Sequence, residues 1–420
     1  MKVAVIGAGW AGLAAAVSLS AAGLRPTLIE AGRRPGGRAR RADLPGENLD
    51  NGQHLLLGAY RETLALMRQV GADPEQLLQR LPLHLADQRG FRLQLPDWPP
   101  PLHLAWGLLR ARGLSLADKF AAARWMQQLR GTGFRLIEDC SVADWLSAAR
   151  QPAALRQQLW EPLCLAALNT PAERASAQVF ANVLRDSLGS PEAGATDLLI
   201  PRCDLSRLLP EPASTWLAAR SVELRFGQRV RQLHAGGSGW QVEGETFDQV
   251  ILATAPQHAA RLLPAPLPAL AELLASGFEA IATLYYDAPA EFTPPAPLYA
   301  LNGGLGQWVI AHPPLQGRRR IAAILSGNGP WQDLEATALA ARIAAELGLP
   351  AGSPWRLLQE KRATFSCRPR QARPSPATPW PGLHLAGDYC HTPYPATLEA
   401  AVRSGREAAG RVLQNLAAAS

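Results

Sequence analysis

The chain of 420 residues is 47% hydrophobic and 18% charged, which allows it to bury a sizeable core in two intertwined domains. Its formal charge of +7 comes almost wholly from arginine, because all but three of its 42 basic residues are arginines. This bias suits anionic lipid or phosphate partners, or a GC-rich genome. Aromatic residues do not interleave with the basic ones and no block of five like charges occurs, so the composition excludes a nucleic-acid groove.

The cysteines and histidines give no sign of a metal site. The five cysteines are scattered without any C-x-x-C, and the eight histidines show no H-x-x-x-H or H-E-x-x-H spacing. This pattern argues for a reducing compartment and against zinc or an iron–sulfur cluster. The uncharged stretch at 3–24 is long enough for a membrane span, but three glycines interrupt it where a spanning helix needs leucine. We therefore expect a buried strand and helix in a cytoplasmic protein.

The first 30 residues predict a βαβ unit. A β-branched apolar run at 3–6 predicts a strand, the alanine-rich segment 11–22 predicts a buried helix, and the run at 26–30 predicts a second strand. A strand, a glycine turn, a helix and a strand in this order are typical of a parallel sheet.

The middle of the chain, at 73–197, changes to helices rich in tryptophan, leucine and arginine. Ser115 with Asp118, and Ser141 with Asp144, match the pattern of a helix start in which the fourth residue is acidic. We expect this region to be a substrate or lid domain.

Strands return at 222–233 and 241–253, where the chain comes back to the first domain. A second mixed stretch follows, with strands predicted at 280–286 and 320–326 and a helix near 334–347. The C-terminal segment predicts a strand, a loop and an amphipathic helix.

The glycines that follow the first strand point to a dinucleotide. Gly7, Gly9 and Gly12 form a G-x-G-x-x-G: the first permits the tight turn, the second lets backbone N–H groups approach a pyrophosphate, and the third lets the helix pack on the strand. Glu30, at the end of the second strand, is placed to bond the adenosine ribose and disfavours NADP. Arg38, after a second glycine pair, can offset pyrophosphate charge. These segments contain the candidate cofactor-binding residues Gly7, Ala8, Gly9, Trp10, Ala11, Gly12, Glu30, Ala31, Gly36, Gly37, Arg38 and Ala39.

With these motifs and the C-terminal segments 385–388 and 395–399, the chain resembles the FAD-linked amine-oxidase superfamily, which also contains carotenoid desaturases and squalene-associated flavoenzymes. The resemblance implies FAD as the cofactor, with Asp388 bonding its ribityl or pyrophosphate region. It also implies that N–H groups at a helix start face the flavin, where a helix N-terminus stabilises the anionic reduced form. The cofactor-binding residues that it adds are Gly52, Gln53, His54, Val230, Ala253, Gly387, Asp388, Thr397 and Leu398.

A narrower resemblance rests on segments 49–60 and 160–171, which look like those of the hydroxysqualene dehydroxylases, the squalene-associated FAD-dependent desaturases of hopanoid gene clusters. It implies hydride transfer from reduced flavin to hydroxysqualene, giving squalene. By this resemblance the first segment lies against the flavin, and the second lines a lipid tunnel or packs in the core. Gln53 and His54 are the candidate catalytic residues. His54 would donate a proton near neutral pH, or both would only hold the flavin.

The fold that these motifs imply is α/β, a Rossmann-like FAD-binding domain interleaved with a mixed α+β substrate domain, as in amine oxidases. The FAD-binding domain is predicted to comprise 1–72, 201–260 and 375–420. The substrate domain is predicted to comprise a helical part at 73–200, which also meets the membrane, and a second part at 261–374.

Three functions remain open on the sequence alone. The first is reduction of the long isoprenoid alcohol. The second is desaturation of a carotenoid-like polyene, or amine oxidation, for which an aromatic pair facing the flavin is only ambiguously present. The third is a non-catalytic relative, as in Rab-escort proteins. The fold cannot separate the first two, and the electron donor is not identified.

A tryptophan-containing apolar cluster at 102–109 beside Arg110 and Arg112 predicts a helix that lies in a lipid interface. A water-insoluble substrate needs such an entrance. We expect peripheral contact with anionic lipid on the inner face of the cytoplasmic membrane, the alternative being a helix that caps the core.

Overall fold

The computed structural model of the chain describes residues 1–44, 49–237, 239–301, 305, 307–312, 317–350, 352–390 and 393–419. Its strands are β1 Val3–Ile6, β2 Thr27–Glu30, β3 Leu56–Leu57, β4 Leu78–Leu81, β5 His84–Asp87, β6 Arg92–Gln94, β7 Leu198–Pro201, β8 Glu223–Phe226, β9 Leu233–Gly236, β10 Gly239–Val242, β11 Glu245–Phe247, β12 Gln249–Leu252, β13 Phe278–Pro289, β14 Leu298–Ala300, β15 Trp308–Ala311, β16 Arg318–Ser326, β17 Trp355–Phe365 and β18 Leu383–Leu385.

The helices are α1 Trp10–Ala21, α2 Arg61–Gln69, α3 Pro74–Leu77, α4 Leu102–Arg110, α5 Leu116–Gly131, α6 Val142–Ala148, α7 Ala153–Leu155, α8 Glu161–Leu168, α9 Ala177–Asp186, α10 Leu205–Leu208, α11 Pro210–Ala218, α12 Pro256–Leu262, α13 Pro268–Ala275, α14 Ala336–Leu347 and α15 Leu398–Ala419. A π-helical turn joins α7 to α8. It lies just ahead of Pro162, which has no N–H to donate and whose ring clashes with the preceding turn.

The predicted βαβ unit is confirmed by β1, α1 and β2, which build a five-stranded parallel sheet in the order β18-β12-β1-β2-β8. Close backbone packing holds α1 against the turn that follows β1 and against α15. A Cβ on Gly12 would lie 1.8 Å from the Gly7 carbonyl oxygen, and a Cβ on Gly405 of α15 would lie 2.1 Å from the Ala11 carbonyl oxygen. The sheet thus unites strands from the beginning, middle and end of the chain.

The second large sheet has seven strands in the order β17-β13-β16-β15-β14-β5-β6. Its strands β13 and β16 and the helix α14 confirm the predictions for that part of the chain. The helices predicted at 73–197 are present, but the prediction missed β4, β5 and β6, which also lie there, with β5 paired in parallel with β14. These strands are three or four residues long, too short to show a period of two against the surrounding apolar residues.

Two further details refine the predicted elements. The stretch predicted as strand at 222–233 contains β8 and the start of β9, which belong to different sheets, and an extended connection lies between them. The predicted helix starts are confirmed. The Ser115 hydroxyl accepts a hydrogen bond from the Asp118 N–H, and the Ser141 hydroxyl accepts one from the Asp144 N–H.

Candidate functional site

A cavity of about 1020 Å³ begins at the carboxyl edge of the five-stranded sheet and continues beneath the seven-stranded sheet. At its first end it is lined by the residues that follow β1, β2, β12 and β18. The carboxyl ends of parallel strands are where open α/β sheets bind ligands. At its second end, side chains of α8, α9, β15 and β16 form the wall.

Nearly all of the predicted cofactor-binding residues meet in this cavity. The two that do not line it are Ala8 and Gly12, which act through the backbone. The Ala8 N–H donates to the Glu30 carboxylate at 2.7 Å, and Gly12 allows α1 to approach the turn. Those that line it are Gly7, Gly9, Trp10, Ala11, Glu30, Ala31, Gly36, Gly37, Arg38, Ala39, Gly52, Gln53, His54, Val230, Ala253, Gly387, Asp388, Thr397 and Leu398.

The first end of the cavity fits a dinucleotide. A Cβ built on Gly9 meets nothing within 4 Å, so the missing side chain leaves open space beside the start of α1. Three residues that line the cavity each carry a buried polar atom that lacks a partner among the described residues, namely Thr254 Oγ1, Gln257 Oε1 and the Tyr389 hydroxyl. Buried polar groups normally have partners, so these atoms favour a polar ligand in the cavity.

An ion pair joins the two ends of the chain at this site. Arg38 Nη2 lies 2.7 Å from Asp388 Oδ1, and its Nη1 donates to the Ala363 carbonyl. Burial by itself lowers the pKa of Arg38, but the neighbouring Asp388 carboxylate outweighs burial, and the pKa is raised. The guanidinium therefore stays charged, with its orientation set by the carboxylate.

The turn from Gly52 to His54 is held by four hydrogen bonds. The Gln53 N–H donates to Thr283 Oγ1 at 3.2 Å, and the Gln53 side-chain amide donates to the His54 carbonyl at 3.0 Å. His54 Nδ1 lies 3.0 Å from the Gly52 carbonyl oxygen. His312 Nε2 lies 2.7 Å from Gln53 Oε1.

Burial lowers the pKa of His54, and the charge of Arg38 lowers it further. The neutral imidazole therefore predominates at neutral pH, and this environment opposes the proton donation near neutrality that the sequence suggested.

His312 is the member of this group that sequence reasoning missed. It follows β15, and nothing near it in the sequence marks a site. Only the pairing of β15 with β16, and of β16 with β13, carries it to the turn that Thr283 also contacts. Burial lowers the pKa of His312 to about 4, so it too is neutral.

The start of α15 faces the cavity, and buried polar contacts hold it in place. Thr397 Oγ1 accepts a hydrogen bond from the Ala400 N–H. The Glu399 carboxylate is buried, accepts from the N–H and hydroxyl of Thr63 on α2, and pairs with Arg403 at 2.8 Å. The positive end of a 22-residue helix is thereby aimed into the cavity.

The second end of the cavity is mostly apolar. Three apolar residues of the segment 160–171, predicted to line a tunnel, lie in its wall: Leu163, Ala166 and Ala167. Cys164 of the same segment packs in the core. Other apolar residues that line the cavity include Phe180, Val183, Leu184, Leu198, Leu298, Trp308, Ile310 and Ile324.

Two tyrosines of the C-terminal segment also line the cavity. The Tyr389 ring folds against Gly387, where a Cβ would come within 2.3 Å of it. The Tyr394 phenol is hydrogen-bonded to Asp186, which also pairs with Arg185. Each ring is thus held by its own neighbours.

Asp50 lies directly behind the Gly52 turn in a buried setting. Its carboxylate accepts a hydrogen bond from the Leu205 N–H at 2.8 Å. Burial raises the pKa of Asp50 to about 7, and the charge of Asp204 contributes to the rise.

We expect Asp50→Asn to raise the melting temperature more at pH 8 than at pH 5. The pKa of Asp50 is about 7 when folded and about 4 when unfolded, so the folded state holds the proton more tightly and stability is lost as the pH rises through this window. At about 1.4 kcal/mol per pKa unit, the free energy of unfolding of the wild type falls by a few kcal/mol at most. The asparagine oxygen can still accept from Leu205. Thermal unfolding at both pH values checks this, and a gain that is equal or larger at pH 5 contradicts it.

Comparison with known proteins gives three findings. The sequence profile of the flavin-containing amine oxidoreductases matches residues 10–326 and 329–413. Hydroxysqualene dehydroxylases of Rhodopseudomonas palustris and Sinorhizobium fredii are 34% and 31% identical to this chain, each over 98% of both sequences. The structure of a putrescine oxidase bound to putrescine superimposes with a TM-score of 0.72 over 99% of both chains at 19% identity, which shows a shared fold.

Proposed function

Because this chain belongs to the family of flavin-containing amine oxidoreductases, we propose that it is an FAD-dependent enzyme that reduces hydroxysqualene to squalene. The observation that carries the proposal is one continuous cavity. It runs from the dinucleotide fingerprint, past the Gly52 turn, into an apolar chamber that suits a long isoprenoid.

The residues of the chamber bind the substrate and exclude water. Bound FAD, once reduced, supplies the hydride that replaces the hydroxyl. The hydroxyl is allylic, so its loss leaves a delocalised cation, and the apolar wall keeps water from recapturing that cation. We place the turn that carries Gln53 and His54 beside the reacting carbon.

We also propose that the protein binds the inner face of the cytoplasmic membrane through an exposed apolar patch on α4, α5 and the segment before them. Leu102 and Leu109 on α4 are 57% and 58% exposed, and Phe120 on α5 is 70% exposed. The patch comprises Trp98, Leu102, Trp106, Leu109, Leu116 and Phe120. No helix in the described part of the chain is long and apolar enough to cross a bilayer.

On α4 the patch lies opposite the face that packs on the core. His103 of α4 is buried, and the charge of Asp197 acts on it. Thr196 and Leu198, the neighbours of Asp197, line the apolar end of the cavity. We propose that a substrate dissolved in lipid reaches the chamber from the membrane side.

Anaerobic, photoreduced enzyme is expected to convert hydroxysqualene into squalene, with one squalene formed for each flavin reoxidised. Mass spectrometry of the extracted lipid and flavin absorbance measure the two quantities. Oxidised enzyme incubated with squalene or phytoene is the control for the desaturase alternative. If the oxidised enzyme desaturates either hydrocarbon while the reduced enzyme leaves hydroxysqualene untouched, the proposal fails.

A further inference from the structure

We propose that His54 presents its Nε2 lone pair to the cavity as the hydrogen-bond acceptor for the hydroxyl of the substrate, and that Gln53 and His312 are positioning residues that hold it there. This inference rests on the proposed function in that the ligand is an isoprenoid alcohol. It assigns His54 to recognition of the alcohol and leaves the protonation of the departing oxygen to another group.

The tautomer of His54 follows from its partner. A carbonyl oxygen can only accept, so the contact of 3.0 Å between Nδ1 and the Gly52 oxygen requires the proton on Nδ1. In the neutral ring Nε2 then carries a lone pair. Nε2 has no partner among the described residues, yet it is not fully buried. His54 lines the cavity, so this accessible nitrogen can meet a ligand there.

The same donor-to-acceptor logic continues through the neighbours. The Gln53 side-chain nitrogen donates to the His54 carbonyl, so its Oε1 faces His312. His312 must therefore donate from Nε2, which a neutral ring does readily. These contacts, together with the hydrogen bond from the Gln53 N–H to Thr283 Oγ1, hold the backbone and the Gln53 side chain of the turn in place. With Nδ1 bound to the Gly52 carbonyl, the His54 ring keeps one orientation, in which Nε2 is directed away from the turn.

An acceptor at this place distinguishes the substrate from the product. The alcohol can donate its O–H to Nε2, whereas squalene has no polar hydrogen and leaves the nitrogen unpaired. The phenols that line the cavity keep their protons, because burial raises the pKa of Tyr60 and of Tyr389, and raises that of Tyr394 to about 12. The charged groups that line the cavity with them are Glu30, Arg38, Asp186, Arg229, Arg231, Arg261, Glu360, Arg362, Asp388 and Glu399.

The test measures binding to oxidised holoenzyme, where no reaction occurs, through the change in flavin absorbance. The probes are hydroxysqualene, squalene, and the ketone made by oxidising the same carbinol, whose oxygen can accept but cannot donate. Wild-type protein is expected to bind the alcohol about five- to tenfold more tightly than either of the others, the worth of one hydrogen bond. Equal binding of alcohol and ketone by the wild type overturns the inference without any variant.

Two pairs of variants locate the effect. His54→Asn keeps a donor for the Gly52 carbonyl but places no acceptor where Nε2 was. We expect this variant to retain FAD and to bind the three probes with equal affinity. His54→Gln places an amide oxygen near that position and should restore part of the preference. His312→Leu should weaken the preference, and His312→Gln, which can still donate to Gln53, should keep it.

The outcomes separate this inference from the proposed function. If His54→Asn still prefers the alcohol, the inference is wrong even when reduced enzyme forms squalene. If the preference depends on His54 but reduced enzyme forms no squalene, the proposed reaction is wrong and the binding assignment stands.

Discussion

Replacing Gly9 with valine is expected to give a folded protein without flavin. Gly9 has φ of −71° and ψ of 178°, a conformation open to any residue, and its added Cβ meets nothing within 4 Å. The chain alone therefore leaves room for a Cβ at this position, and we expect the valine protein to fold. The space that valine fills is the one through which a pyrophosphate must approach the N-terminus of α1. Loss of that approach should weaken FAD binding by at least about a hundredfold, roughly 2.7 kcal/mol.

The measurement compares flavin absorbance per protein and thermal unfolding of the cofactor-free forms. Two glycine variants serve as controls. Gly410→Ala on α15, where a Cβ also meets nothing within 4 Å, should stay yellow. Gly12→Val places a Cβ 1.8 Å from the Gly7 oxygen and should fail to fold. A Gly9→Val protein that purifies yellow at full occupancy would show that the cofactor does not pass this glycine.

The double variant Trp106→Glu, Leu109→Glu is expected to abolish binding to anionic liposomes. Both side chains are exposed, at 41% and 58%, and Trp106 contacts Trp98 and Arg110 rather than the buried core, so their replacement leaves the core packing unchanged. In a lipid interface they bury apolar surface worth about 25 cal/mol per Å², and two carboxylates there are repelled by anionic headgroups. We expect the partition constant measured by flotation to fall at least about a hundredfold.

Ile137 supplies a matched control because it is also an exposed apolar side chain. Phe120 of the patch lies near the start of the 16-residue α5, whereas Ile137 follows the end of that helix. That helix is roughly 24 Å long, so Ile137→Glu introduces a charge away from the patch and should leave flotation unchanged. Squalene formation in detergent by the double variant should match the wild type. If native protein does not float, or if both variants float equally well, the patch is not a membrane surface.

The local motifs could be predicted from the sequence because each depends on neighbours in the chain. The G-x-G-x-x-G, the carboxylate of Glu30 and the second glycine pair each lie within one βαβ unit, whose periodicity can be read directly. The C-terminal segment around Asp388 completes the pattern. The family inferred from these residues is confirmed, and so is FAD as its cofactor.

What only the tertiary structure decided depends on contacts between residues far apart in the chain. Arg38 meets Asp388 across 350 positions, and Gln53 meets His312 across 259. The short strands β5 and β6 are too brief to carry a periodic signal and exist because β14 and its neighbours give them partners. The ionisation of His54 likewise follows from burial, and its tautomer from a carbonyl that only the folded turn brings to it. A residue type can be read from the sequence, but the state of its protons is set by what surrounds it.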